Sequence, residues 1–328
     1  MTVISEQDDT IRQLLHDASL ILLTSHIRPD GDAVGSVLGL GLSLMAMGKD
    51  VQMVLADGIP SAFRYLSGAD QVLSAAKEPF DLSVVVDCSD LERTGGSLGE
   101  KQPDINIDHH ITNLMFARHN LVEPEASTAG VITAHLERWD LPLTLPAAEA
   151  LLTGMITDTI GFRTSNVTGD TLRLAATLVD HGANISELYN QALVNRSFAE
   201  TRLWGLGLSR LERHGRIVWT SITNEDKKLA GFNGKGSADI INLLASIDDA
   251  DVAIVFLESE NHHIKVSWRA KPNLDVSNLA LAFGGGGHPA AAGADLPGTM
   301  PEVTARILEA TQTLLDLGTI PQNNFSGL

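Results

Sequence analysis

Four short segments of this chain place ionisable side chains directly after apolar runs, a pattern suited to holding cations and moving protons. LILLTS is followed by His26, Asp30 and Asp32 in HIRPDGD, SVVV by Asp87, and INI by Asp108, His109 and His110; Asp158 stands in ITDT, near the end of a helical pattern. Carboxylate and imidazole together suit borderline divalent ions, Mn2+ first, with Zn2+ or Fe2+ compatible and Mg2+ less favoured by nitrogen ligands. Without cations, Asp30, Asp32, Asp87 and Asp158 would bring a formal charge of −4 to one place and raise one another's pKa. Two divalent ions balance that charge. A pair about 3.5–4 Å apart also activates a water and clamps phosphate oxygens during in-line attack. Taken singly, each segment has a plainer reading: PDGD a turn, Asp87 a helix cap, Asp108–His110 a polar loop, Asp158 an idle helix end. All of those readings would have to hold together.

Such residues need a scaffold that gathers strand ends. Apolar runs at 20–24, 51–55, 83–86 and 105–107 read as strands, and 33–47 reads as a helix closed by Gly48. Helical patterns follow at 146–157, with Leu151, Leu152, Met155 and Ile156 on one face, and at 168–180, ended by Gly182. Strands separated by helices imply βαβ units, so the fold class is α/β, a mostly parallel N-terminal sheet flanked by helices. Ligands of such sheets sit outside the carboxyl ends of the strands, where three of the four segments would converge. The stretch 186–213 reads as one continuous helix. Strand patterns at 217–222, 252–257 and 264–268, a glycine-rich turn and a helix at 301–317 then form a smaller α+β domain. The expected organisation is a catalytic domain at 1–190, a connecting helix at 191–214, a substrate-binding domain at 215–320 and a polar tail at 321–328.

With 23 basic and 41 acidic residues the net charge is −18, and the longest basic run is Lys227-Lys228. Proteins that track long duplexes present a basic stripe, so long duplex DNA is not an expected partner. Aromatic residues make up 5%, too few for an extended stacking platform. No apolar run reaches the length of a membrane span, the N-terminus lacks the pattern of a secretory signal, and Cys88 is the single cysteine. A cytoplasmic protein is expected, with no membrane partner; a homodimer is left open.

On these residues the chain resembles the DHH phosphoesterase superfamily, named for the Asp-His-His of its third motif. SHIRPDGDAVGS is similar to the first motif, VVVDCSDLERTG to the second, NIDHHITNLMF to the third and GMITDTIGFRTSN to the fourth. VSWRAK followed by FGGGGHPAAAGA resembles the DHH-associated substrate-binding domain. Within the superfamily the chain is similar to stand-alone, two-domain NrnA-like nano-RNases (oligoribonucleases) that also act on 3′-phosphoadenosine 5′-phosphate. The resemblance implies one metal held by His26, Asp30 and Asp87, and another held by Asp32, Asp87, His109 and Asp158. It implies that His110 faces the substrate phosphate and that Asp108 orients the histidines from behind. It further implies that Arg269, His288 and the backbone amides of Gly285, Gly286 and Gly287 bind an anionic substrate. The expected substrates are short RNA oligonucleotides or small nucleotides, with cyclic di-AMP or its linear product as the alternative. The chain departs from the motifs where Ile160 follows Thr159 in place of glycine, where Gly130 replaces glutamate, and where Ala270 follows Arg269.

Other features carry plainer readings. GFNGKGS at 231–237 lacks a phosphate loop's ending and reads as a surface turn. Cys88 reads as a small core residue, His262-His263 as an exposed hairpin, and Gly39 and Gly41 as sites of close helix packing.

Overall fold

The computed structural model describes residues 6–317 apart from 78, 100, 235, 238, 260, 261 and 273. The expected tail at 321–328 lies outside the described residues. The chain forms two compact units that divide between Asn195 and Arg196.

In the first unit, α1 (Glu6–Asp17) leads into β1 (Leu20–Thr24), α2 (Gly31–Ala46), β2 (Asp50–Val54), β3 (Leu82–Val86), β4 (Ile105–Asp108) and β5 (His119–Val122). The strands form one sheet in the order β2-β1-β3-β4-β5, every neighbouring pair parallel. Its central strands are covered on both faces, and for that reason they read as unbroken apolar runs. The order reverses between β1 and β3, the switch point where open sheets of this kind leave a crevice. Helices α3 (Thr128–His135), α4 (Leu145–Asp158), α5 (Gly169–Asp180) and α6 (Ile185–Tyr189) complete the unit. The sequence pattern missed α1, β5 and α3. Buried residues occupy nearly every position of α3, leaving no amphipathic period to detect.

Helices α2 and α4 cross unusually closely. A β-carbon on Gly31 would meet the Thr157 side chain at 2.3 Å, one on Gly35 the Ala150 carbonyl at 2.5 Å, and one on Gly39 the Leu151 side chain at 2.4 Å. This glycine stripe at intervals of four residues seats the start of α2 beside the end of α4, and so sets Asp30 and Asp32 near Asp158. Gly41 instead makes room for Met53 of β2.

The stretch 186–213 is not one helix. After α6 the chain makes a π turn through Val194 and becomes extended at Asn195, and Ser197 and Glu200 then form a capping box that starts α7 (Phe198–Leu208). Serine three residues before glutamate was the overlooked start signal. The chain continues through β6 (Glu212–His214), β7 (Ile217–Ile222), α8 (Asn224–Ala230), α9 (Ile240–Leu244), β8 (Val252–Glu258), β9 (His263–Ala270), α10 (Ser277–Ala282), β10 (Gly286–His288), β11 (Ala291–Pro297) and α11 (Met300–Leu317). The second sheet runs β10-β11-β9-β8-β7-β6, antiparallel except between β7 and β8. Ile254, Phe256, Val266 and Trp268 form a core with α11 on one face; Ala253, Val255 and Leu257 pack with Ile240 and Leu244 of α9 on the other.

Candidate metal centre

Residues at the carboxyl ends of β1, β3 and β4 meet the end of α4. His26 follows β1 and is buried. Its Nδ1 lies 2.8 Å from the Ile27 carbonyl oxygen, so a proton resides there and Nε2 is turned toward the carboxylates. That Nε2 stands 3.9 Å from Asp30 Oδ1 and 3.6 Å from Asp87 Oδ2. Asp30 is the N-cap of α2, its Oδ1 accepting from the Asp32 and Ala33 amides at 3.1 Å each. Asp87 comes directly after β3 with φ +52°, a left-handed conformation that aspartate tolerates better than most residues. Its Oδ1 is 3.8 Å from His109 Nε2, and the same Nε2 is 3.6 Å from Asp158 Oδ2.

Three groups of donor atoms thereby come together: His26, Asp30 and Asp87; Asp32, His109 and Asp158; and Asp87, His109 and His110. The separations of 3.6–3.9 Å are too long for hydrogen bonds. They fit donors arranged around a common ion, since two ligands each about 2.1 Å from one metal stand about 3–4 Å apart. The donor set, imidazole with carboxylate, is compatible with a borderline divalent cation.

The electrostatics point the same way. Burial, then the charges of Asp87 and Asp158, pushes the Asp32 carboxyl well above the ordinary range. Burial also raises Asp158 to about 6, with Asp87 and Asp30 adding to the effect and His109 opposing it. Asp87 is different. Burial raises it, but His26, His109 and His110 together outweigh burial and hold its pKa below the usual value. A carboxylate kept ionised between two that resist ionisation is an arrangement that a cation relieves.

Behind the donors stands a set of hydrogen bonds. Asp108 Oδ1 accepts from the His109 amide at 2.9 Å and from His110 Nδ1 at 2.7 Å, and that second bond raises the pKa of His110. Asn113 Nδ2 donates to Asp108 Oδ2 at 2.6 Å and to Asn106 Oδ1 at 2.8 Å. Asp32 is anchored from far along the chain, its two oxygens accepting from the Thr128 and Ala129 amides at the start of α3, at 2.7 and 3.0 Å. Thr128 Oγ1 donates to Asp87 Oδ1 at 2.9 Å. Sequence reasoning missed Asn106, Asn113 and Thr128; the one legible signal for Thr128 was its place after Ser127, a serine N-cap. The space beside Gly130 is filled by the Glu125 side chain, where a β-carbon would approach Cγ at 2.8 Å.

Ile160, which departs from the fourth motif, sits at φ +50° between Thr159 and the left-handed Gly161, and Phe162 also has positive φ. This is the conformation for which glycine is suited, and a β-branched residue there is strained. Asp158 keeps its place despite the change. Cys88 is buried, and burial raises its thiol to about 12, so it is a core residue rather than a nucleophile.

In the second unit, His288, Ala291 and Arg269 stand in register across β10, β11 and β9, which puts Arg269 and His288 on one face with only alanine between them. Burial lowers the pKa of the Arg269 guanidinium, which donates to its neighbour's carbonyl, Trp268 O, at 3.0 Å. The glycine run differs from expectation in one respect. The Gly285 amide donates to Ala280 O at 2.8 Å and is therefore engaged within the fold. Gly285 and Gly287 are required by close approach to β11, where β-carbons would meet Gly293 O at 2.1 Å and Ala291 O at 2.5 Å; Gly286 faces open space.

Comparison with known proteins agrees with the sequence resemblance. A family model described as the DHH family, N-terminal domain, matches residues 20–155, and one described as the DHHA1 domain matches 226–316. The bifunctional oligoribonuclease and PAP phosphatase NrnA of Thermus thermophilus is 35% identical over 297 residues, 89% of this chain and 89% of that protein. The protein of the same name from Bacillus subtilis is 27% identical, covering 84% of this chain and 89% of its own. The crystal structure of an exopolyphosphatase-related protein from Bacteroides fragilis superposes with a TM-score of 0.87, at 26% identity, over 97% of this chain and 99% of that one.

Proposed function

The chain belongs to the DHH family, and on that footing we propose that it is a metal-dependent phosphoesterase. Its proposed substrates are oligoribonucleotides of a few residues, hydrolysed to mononucleotides, and 3′-phosphoadenosine 5′-phosphate, which loses its 3′-phosphate. The observation that carries the reading is the gathering of His26, Asp30, Asp32, Asp87, His109 and Asp158 into adjoining donor groups with metal-like spacing. The similarity to relatives named as oligoribonuclease and PAP phosphatase supports the substrate class.

His26, Asp30 and Asp87 would hold one divalent ion and Asp32, Asp87, His109 and Asp158 a second, with Mn2+ the ion best matched to the donors. Such ions supply a water acidic enough to act as a nucleophile near neutral pH and neutralise charge on the phosphate. The chain's own residues do the rest. Asp108 holds the proton on His110 Nδ1, and the raised pKa keeps Nε2 able to donate to a phosphate oxygen. Asn113 locks the Asp108 carboxylate, and Thr128 locks that of Asp87, so both are oriented before substrate arrives. In the second unit, Arg269, His288 and the amides of Gly286 and Gly287 are proposed to bind a substrate phosphate; the engaged Gly285 amide is left out of that set.

A substrate panel tests this reading. Purified protein with Mn2+ should degrade dinucleotides faster than long strands and release phosphate from 3′-phosphoadenosine 5′-phosphate. Faster turnover of long strands would rule out the short-substrate assignment, and fastest turnover of cyclic di-AMP would replace it with the cyclic dinucleotide alternative.

A further inference from the structure

The chain carries an excess of carboxylates, and four cations of its second unit are paired with one. Arg210 pairs with Asp226 and Arg216 with Asp251, both two-pronged, and Arg213 with Asp249. Lys271 reaches the Asp248 carbonyl at 2.6 Å and Asp251 at 3.9 Å. Lys227 and Lys265 are not paired in this way. Among the described residues neither makes a hydrogen bond or an ion pair, and they lie close enough that Lys265, after burial, helps to lower the Lys227 pKa. Glu258, the acid that opposes this effect, is engaged in accepting from the Asn224 amide at 2.9 Å.

These lysines line a cavity of about 840 Å³, within the range of small-ligand sites. Lys228, Phe232, Asn224 and Asn233 line it as well, and its acid, Asp295, is paired with His263 at 3.0 Å. Part of the wall is built by Phe232, Asn233 and Gly234, from the segment that reads as a surface turn. Gly231 ends α8 in the left-handed conformation, and the Phe232 amide then donates to Lys227 O at 2.9 Å, tying the ring to the lysine's own helix. The ring lies over Gly234, where a β-carbon would meet it at 2.3 Å. Unmatched ammonium groups, an aromatic ring and neutral amide side chains in one cavity are complementary to a phosphate attached to a base.

We infer that this cavity is a binding site for a nucleoside monophosphate, with Lys227 and Lys265 on the phosphate and Phe232 against the base. It lies wholly within the C-terminal unit, shares no residue with those proposed for hydrolysis, and does not depend on that reading.

Calorimetric titration of the full-length protein in Mn2+ buffer with AMP, adenosine and inorganic phosphate tests it. AMP should bind the parent, and Lys227→Ala/Lys265→Ala should weaken it by about tenfold or more while dinucleotide hydrolysis stays within about twofold. The exposed rim substitution Lys228→Glu should weaken AMP binding in the same direction. Phe232→Ala should weaken AMP but leave inorganic phosphate unchanged. Asp87→Ala, which removes the shared donor of the metal centre, should leave AMP binding at this site intact. Unchanged AMP affinity in the double variant, or its loss in Asp87→Ala, overturns the site; phosphate binding as tightly as AMP overturns the nucleotide assignment. Absence of hydrolysis by the parent would overturn the proposed reaction and leave the binding result standing.

Discussion

Replacing Asp158 by asparagine should have effects of opposite sign with and without metal. In the metal-free protein this carboxyl is largely buried, has 30% of its side-chain surface exposed, and ends α4, where the helix dipole disfavours negative charge. Its pKa of about 6, against a usual value of 3.8, means that keeping it ionised at pH 8 costs about 3 kcal/mol. Solvent screening at the exposed edge and the desolvation of the asparagine amide reduce the expected gain to about 1–2 kcal/mol. Asp158→Asn should therefore be more stable than the parent in chelator at pH 8. The sign follows from linkage. The folded pKa is raised, so the parent's handicap is absent below pH 4, develops between pH 4 and pH 6, and is full by pH 8. The gain should thus vanish at pH 4. With saturating Mn2+ the order should invert, because the parent binds the ion through Asp158 and the variant has lost that ligand. Urea unfolding at pH 4 and pH 8, with chelator or Mn2+, measures all of this. A variant less stable than the parent in chelator at pH 8, or one that Mn2+ stabilises as much as the parent, would refute the electrostatic account.

Asp87→Ala should abolish turnover and reduce bound metal at both donor groups, because Asp87 borders His26 and Asp30 on one side and His109 on the other; metal analysis by mass spectrometry showing full occupancy would contradict the shared role. Thr128→Val, a near-isosteric change at a buried site, removes the 2.9 Å bond to Asp87 and should cost about 1.5–3 kcal/mol of stability in chelator, with a loss of activity in Mn2+. Wild-type stability in that variant would show the bond to be incidental. Ile160→Gly should be neutral or stabilising by up to about 1 kcal/mol, since relief of left-handed strain offsets the extra freedom of unfolded glycine and Ile160 is 56% exposed. A loss above about 1 kcal/mol in denaturant melts would argue that the strain is absent. Mn2+ affinity should fall as pH drops through about 6, where the metal-free Asp158 takes up a proton that the ion must displace; an affinity by calorimetry unchanged from pH 7 to pH 5 would argue against Asp158 as a metal ligand.

Strand identity in the first unit was legible because β1, β3 and β4 are buried on both faces, and a strand with no solvent face must be apolar throughout. The residue types of the metal centre were legible for a related reason: acids and histidines that directly follow such runs are costly to bury unless something pairs with them, and they stand at strand ends. The break at Asn195 carried only the Ser197–Glu200 capping-box signal, which the apolar pattern on either side of it masked. The engagement of the Gly285 amide was not legible, since a glycine run looks the same whether its amides face a ligand or another strand.

By itself, then, the sequence determined the kinds of ligand atoms available and the strand ends that carry them, because local alternation and composition encode burial. Only the tertiary structure decided how those atoms are spaced and which are held. The glycine stripe of α2 brings Asp32 beside α4, and the start of α3 reaches from Thr128 to both Asp32 and Asp87, contacts made across 96 and 41 positions of the chain. Steric fit between whole helices sets distances of that kind, and no short window of residues contains it.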